Sequence, residues 1–242
     1  MSTAATPDQR LLQILATDVP SSIDDVIQRM KALDVALAVD DGLKWFNLLY
    51  LNVTQEIKDH PPQDRWLDPL WITTLDVVFA NLYFRAISDF INGASIASSW
   101  QALFEARQRP GIDRIQFALA GMNAHINHDL SLALLKIDAE MHKGFSRSTP
   151  EHDDYEHVNR LLEAVLPQAL QFLATDLLGQ IAQDTNKIGR LLANWNVRVA
   201  RDFAWDFAEH IQTLPVLAHE FALKSQDTLT GVIGRGLLVP IQ

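Results

Sequence analysis

The stretch from Gln116 to Ile137, QFALAGMNAHINHDLSLALLKI, sets five polar residues within seven positions of an otherwise apolar run: Asn123, His125, Asn127, His128 and Asp129. Two imidazoles and a carboxylate at such spacing could bind a metal or move protons. A helix turns about 100° per residue, so with Asn123 at zero, Asn127 falls near 40°, His128 near 140°, His125 near 200° and Asp129 near 240°. His125, His128 and Asp129 would then share an arc roughly 100° wide. Ala118 and Gly121 join that arc, and their small side chains are expected to leave open space beside the imidazoles. Asn123 and Asn127 fall on the opposite side with Leu119, Leu130 and Leu134. They read as scaffold bonded to neighbouring helices, because a buried amide left unpaired costs about 1 to 3 kcal/mol.

Imidazole nitrogen and carboxylate oxygen suit zinc, iron or manganese, so His125, His128 and Asp129 are the candidate metal ligands. Three ligands with a fourth position left to water would make a Lewis acid. Bundle metal sites draw further groups from facing helices, and Asp76 and His152 are the first candidates to complete the shell or move a proton, followed by Glu140 and His210. The leading expectation is a metal-dependent enzyme acting on a small, largely apolar molecule, hydrolytic by default and oxidative if the metal is iron. Two alternatives use the same residues: a metal-free isomerase or cyclase working by His/Asp acid–base chemistry, and a non-catalytic binding protein for a lipid-like or terpenoid ligand. A buried His–Asp pair can also serve structure alone, fixing helix register. The motif lacks the glutamate that separates the two histidines of a zincin helix.

These residues need a scaffold, and the periodicity supplies helices throughout. Asp8 to Ala16 reads as a short amphipathic turn or helix, and Ser21-Ser22-Ile23-Asp24-Asp25 as a capped start for a helix to about Val39. Phe46, Leu49, Tyr50 and Val53 mark the next helix, which His60-Pro61-Pro62 ends. Asp68-Pro69 opens a segment that is apolar on nearly every side and belongs inside a bundle. Within it Asp76 is the anomaly, a carboxylate needing a partner to offset desolvation. A short helix over Ser98 to Gln108 precedes the central one. The polar stretch FSRSTPEHDDYEH is expected to be a loop that runs into a helix near Tyr155, with a kink at Pro167. A long helix from about Thr185 to Leu214 carries the stripe Trp195, Arg198, Arg201, Asp202 and Trp205, read as packing with i,i+4 ion pairs. Residues 1–7 are expected to be loose and 225–242 to form an extended tail. With no repeat, no hairpin signal and no composition break, the expected fold is all-α: a single-domain irregular helical bundle over residues 1–242 around a buried central helix.

At 242 residues and 48% hydrophobic the chain can bury a sizeable core. Cysteine is absent, which removes disulfides, thiolate metal sites and a cysteine nucleophile. A formal charge of -10 without a compensating basic cluster argues against a nucleic-acid partner. The N-terminus lacks the basic start and apolar core of a signal peptide, and no uninterrupted apolar run approaches the roughly 18 residues of a membrane span, so the expected location is cytoplasmic. No GxSxG, P-loop or GxGxxG occurs, which leaves a serine-hydrolase elbow, a nucleoside triphosphate site and a Rossmann fingerprint without support.

The run ALAGMNAHINHDL, with LDVVFANLY upstream and DYEHVN and ARDFAW downstream, resembles a family of bacterial and fungal proteins of unknown function. These blocks span roughly residues 75 to 206. The resemblance implies a single-domain helical protein and brings no activity to place on His125, His128 or Asp129. A proline commonly follows the HDL element in that family, where this chain has Ser131. More loosely, His125-x-x-x-Asp129 is similar to the spacing in the helical zinc-dependent phospholipase C and P1-type nuclease group. Those enzymes are secreted and ligate zinc through the amino terminus of a mature Trp, whereas this chain begins MSTAAT.

Overall fold

The computed structural model describes residues 5–62, 65–174 and 196–240. The fold is all-α, and no strand occurs among these residues. In chain order the helices are α1 (Pro7–Leu15), α2 (Ile23–Ala36), α3 (Gly42–Asp59), α4 (Pro69–Ile91), α5 (Ser98–Ala106), α6 (Arg114–Ala124), a π turn (His125–Asp129), α7 (Leu130–Met141), α8 (Pro150–Ala174), α9 (Val197–Thr213) and α10 (Val216–Leu237).

The starts follow sequence chemistry. Ser22 and Asp25 form a capping box on α2, Thr6 and Gln9 one on α1, and Asp68 accepts from the Trp71 N–H at the head of α4. Thr6 and Pro7 are thereby held in the first capped turn rather than loose, and residues 1–4 lie outside the described residues.

Helix α6, the π turn and α7 form one rod through the middle of the protein. Every residue of α6 from Ile115 to Ala124 is buried. Helices α3, α5 and α10 pack on α6, while α4 and α9 pack on α7 and on the π turn, and α8 bridges α3 and α9. Helix α4 is long and apolar enough to cross a membrane, but 56% of its most apolar window is buried inside the bundle, as a core helix requires.

Three boundaries differ from the sequence reading. The segment from 225 is helix to Leu237, not an extended tail. Its glycines are points of close approach: a Cβ at Gly231 would stand 2.7 Å from the Ser98 carbonyl oxygen, and one at Gly234 would stand 3.2 Å from the Ala102 Cβ, so the missing side chains let α10 lie against α5. Gln116 then ties down the end of α10 by donating from Nε2 to the carbonyls of Leu237 and Val239, both at 2.7 Å. Helix α8 begins at Pro150, so His152 sits in a helical first turn and not in a loop. Helix α9 begins at Val197, capped by Asn196, and Trp195 lies outside the described residues.

Candidate functional site: a buried histidine–aspartate pair beside an apolar cavity

The central rod is α-helical except at the residues singled out by their chemistry. His125 to Asp129 form a π turn in which the Leu130 N–H reaches back to the His125 carbonyl. A π turn closes i to i+5, and such insertions cluster at functional sites. The wider turn redistributes the polar side chains. His125 Nδ1 and Asp129 Oδ2 are 3.0 Å apart, and the same Oδ2 accepts the Trp100 indole N–H at 2.9 Å. His128 turns elsewhere: its Nε2 lies 3.9 Å from Asp227 Oδ1. Asp227 in turn caps α5 from a distance, accepting the N–H groups of Ser98 at 2.8 Å and Ser99 at 2.9 Å. Among the described residues no group of three His, Asp or Glu side chains that could hold a metal ion is found.

Asn123 and Asn127 take their expected structural part. Asn123 donates to the Thr230 carbonyl at 2.8 Å and Asn127 donates to Asn123 Oδ1 at 3.0 Å, joining α10 to the rod.

The His125 ring is fixed by its surroundings. It stacks on Phe79 with centroids 3.5 Å apart and planes 7° apart, and meets the edges of Tyr50 at 4.6 Å and Phe46 at 5.7 Å. Burial holds its pKa well below the ordinary histidine value, so the ring is neutral. With its proton on Nδ1 toward Asp129, Nε2 is a bare acceptor, and that atom is buried without a partner. Burial also raises Asp129 to about 7, against the opposing effects of His128 and the Trp100 hydrogen bond.

The open space is not where the small residues suggested. A Cβ on Gly121 would fall 2.2 Å from Phe46 Cγ, so the Phe46 ring already fills the gap left by the glycine. A cavity of about 50 Å³ lies instead on the side of the rod facing α3, α4, α8 and α9. Its walls are mainly aliphatic and aromatic, with Leu49, Leu75, Met122, Leu162 and Leu166 among them, and its ionisable groups are Tyr50, Asp76, His125 and Arg201. Asp76 therefore shares one cavity with His125, as the anomaly in its helix suggested. Its Oδ2 is buried with no hydrogen-bond partner, and burial raises it to about 7 despite the positive charge of Arg201. Tyr50 is pushed up by burial and then by Asp76 and Asp129, which keeps its hydroxyl protonated.

His152 is not brought to this cavity. Its ring packs edge-on against Trp205 with centroids 4.8 Å apart. Glu140 and His210 are exposed.

Arg201, expected from its stripe to pack and pair along its own helix, is instead a residue of the cavity wall. It is 5% exposed, its Nε donates to Asn159 Oδ1 at 2.5 Å, and its guanidinium carbon stands 4.1 Å over the Tyr155 ring. The expected i,i+4 pairing along this helix is replaced by contacts between helices, for Arg198 reaches Glu156 on α8 at 2.5 Å. A signal for Arg201 was present: it occupies the stripe Val197, Arg201, Ala204, Trp205, Ala208, the buried face of α9.

No curated protein and no solved structure matches the chain. The sequence model of a family of unknown function, DUF5995, matches residues 23–240, a span that includes the π turn and the residues lining the cavity. The protein thus belongs to the family of unknown function DUF5995.

Proposed function

We propose that the cavity is a metal-free acid–base site that moves a proton on a small, largely apolar substrate. The observation that carries this reading is that His125, a residue of the cavity wall, has a bare, buried Nε2 while its Nδ1 is held 3.0 Å from Asp129. A carboxylate behind an imidazole fixes the tautomer and supports the charge that forms when the far nitrogen accepts a proton. Asp76, raised to about 7 across the same cavity, is near half protonation at neutral pH and suits a proton donor. In the reaction His125 Nε2 takes a C–H proton next to a carbonyl, the electron pair moves onto the oxygen, and Asp76 delivers its proton to another atom of the same substrate. The net change is an isomerisation, after which the proton on His125 returns to Asp76. A cavity of about 50 Å³ matches about three water molecules, so the substrate is small or displaces the flexible Met122.

The test is proton exchange. Small ketones and carboxylic acids are incubated with the protein in D2O, and loss of their α-proton signals is followed by NMR. Exchange faster than buffer for at least one compound, abolished by His125→Gln and reduced by Asp76→Asn, is expected. Absence of catalysed exchange across the series, or His125→Gln exchanging as fast as wild type, removes the acid–base reading.

A metal-dependent hydrolase on His125, His128 and Asp129 is the second reading. In its favour, His125 Nε2 and His128 Nδ1 are both buried without partners. Against it, Asp129 Oδ2 already serves His125 and Trp100, and His128 faces Asp227. Titration with zinc, manganese and ferrous iron separates the two, since only the metal reading expects tight binding that both histidine substitutions abolish. The likeness to the phospholipase C group stands or falls with that outcome. Binding of a small apolar molecule without exchange would leave a carrier, and the cavity is small for a terpenoid.

A further inference from the structure

We infer that the ligand of this cavity carries a carboxylate group, received by Arg201. The inference rests on the same cavity as the acid–base reading and adds what the ligand must be. Arg201 is a cavity wall residue that is 5% exposed. Among the described residues no carboxylate lies within ion-pair distance of its guanidinium, whereas Arg107, comparably buried, is met by Asp41 at 3.2 Å and also by Asp8. The contacts Arg201 does make are neutral ones: Asn159 Oδ1 on its Nε and the Tyr155 ring beneath it. These orient the guanidinium plane and leave it without an ion-pair partner among the described residues.

A buried arginine in that condition is costly, because desolvation is severe and only a paired, hydrogen-bonded charge recovers it. Asp76, the only carboxylate among the described residues of the cavity wall, makes no ion pair with it within 4 Å, and burial draws Asp76 toward its neutral form against the pull of the Arg201 charge. The site as built therefore holds one fixed positive charge, a titrating carboxyl at Asp76 and mainly apolar walls. A planar carboxylate matches the two-pronged donor edge of a guanidinium, and the aliphatic lining takes a short hydrocarbon chain. The chemistry points to short-chain carboxylic acids, with the carboxylate at Arg201 and the chain running past Phe79 toward His125.

The experiment compares propionate and butyrate with propionamide and butyramide, which have nearly the same shape and no charge, by calorimetry or ligand-observed NMR at neutral pH. The wild-type protein is expected to bind each acid about tenfold to a hundredfold more tightly than its amide. Arg201→Gln should lose that preference and Arg201→Lys keep part of it. Equal binding of acid and amide, no binding of either, or a folded Arg201→Gln that retains the preference would each overturn the inference. Should Arg201→Gln fail to fold, the wild-type comparison still decides. His125→Gln separates this from the acid–base reading: acid preference in that variant, with no catalysed exchange in wild type, keeps the carboxylate site and removes the proton chemistry. Catalysed exchange on neutral ketones with no acid preference does the reverse.

Discussion

His125 and Asp129 are joined across a single π turn, Nδ1 to Oδ2 at 3.0 Å, and the Trp100 indole shares the same oxygen. One buried oxygen thus satisfies two buried donors, one from the rod and one from α5. It accepts hydrogen bonds in either protonation state, and burial, by raising Asp129 to about 7, leaves it near half ionisation at neutral pH.

Two substitutions separate hydrogen bonding from charge. Asp129→Asn retains an acceptor oxygen and is expected to change stability by less than about 1 kcal/mol, while Asp129→Ala strands both donors and opens a void, at about 2 to 5 kcal/mol. Urea denaturation of the two variants measures the difference. Equal destabilisation would mean that the ionised carboxylate, and not its acceptor, is what the site needs.

Asp76 predicts a pH dependence with a definite sign. Its pKa is about 7 in the folded protein against 3.8 for the free group, so between these values the folded state binds more protons than the unfolded state. Stability from this group is fully present below about pH 4 and is lost as pH rises through about 7, with a total on the order of a few kcal/mol. His125 acts in the opposite direction: its depressed pKa lowers stability as pH falls below 6.5. The difference between wild type and Asp76→Asn isolates the first contribution. Asp76→Asn should gain relative stability steadily from pH 4 to 8, and a flat difference curve would show that Asp76 is not desolvated.

Gly121 and Phe46 are coupled by contact. A methyl group at 121 would stand 2.2 Å from Phe46 Cγ, so Gly121→Ala must expel the ring and is expected to cost about 1 to 3 kcal/mol. Phe46→Leu in the Gly121→Ala background should recover part of that loss, giving a positive coupling in a double-mutant cycle read by thermal or chemical unfolding. Additive losses would indicate that Phe46 is free to move aside without help. Because Phe46 touches both His125 and the cavity, the single variant should also weaken ligand binding.

The helical class, the burial of the rod and the oddity of Asp76 were all legible from local pattern. They depend on side-chain periodicity and on the scarcity of charge in apolar runs, which act within a few turns of chain. Capping at Ser22 and Asp68 was legible for the same reason. The second half of the last helix, beyond about Lys224, was not, because three glycines after residue 230 read as breakers until the closeness of α5 is known.

The site divides along the same line. Sequence alone determined that His125, His128 and Asp129 would be buried together, since an apolar segment on every side can only be a core element. It could not determine their directions, because one π turn changes the rotation between successive residues and sends His128 to Asp227 while leaving His125 on Asp129. Nor could it locate the cavity, whose position depends on which neighbour fills the space above each small residue: Phe46 covers Gly121, and the opening remains beside Asp76 and Arg201. Such outcomes are decided by packing between segments distant in sequence, where the shape of one side chain sets the room left for another.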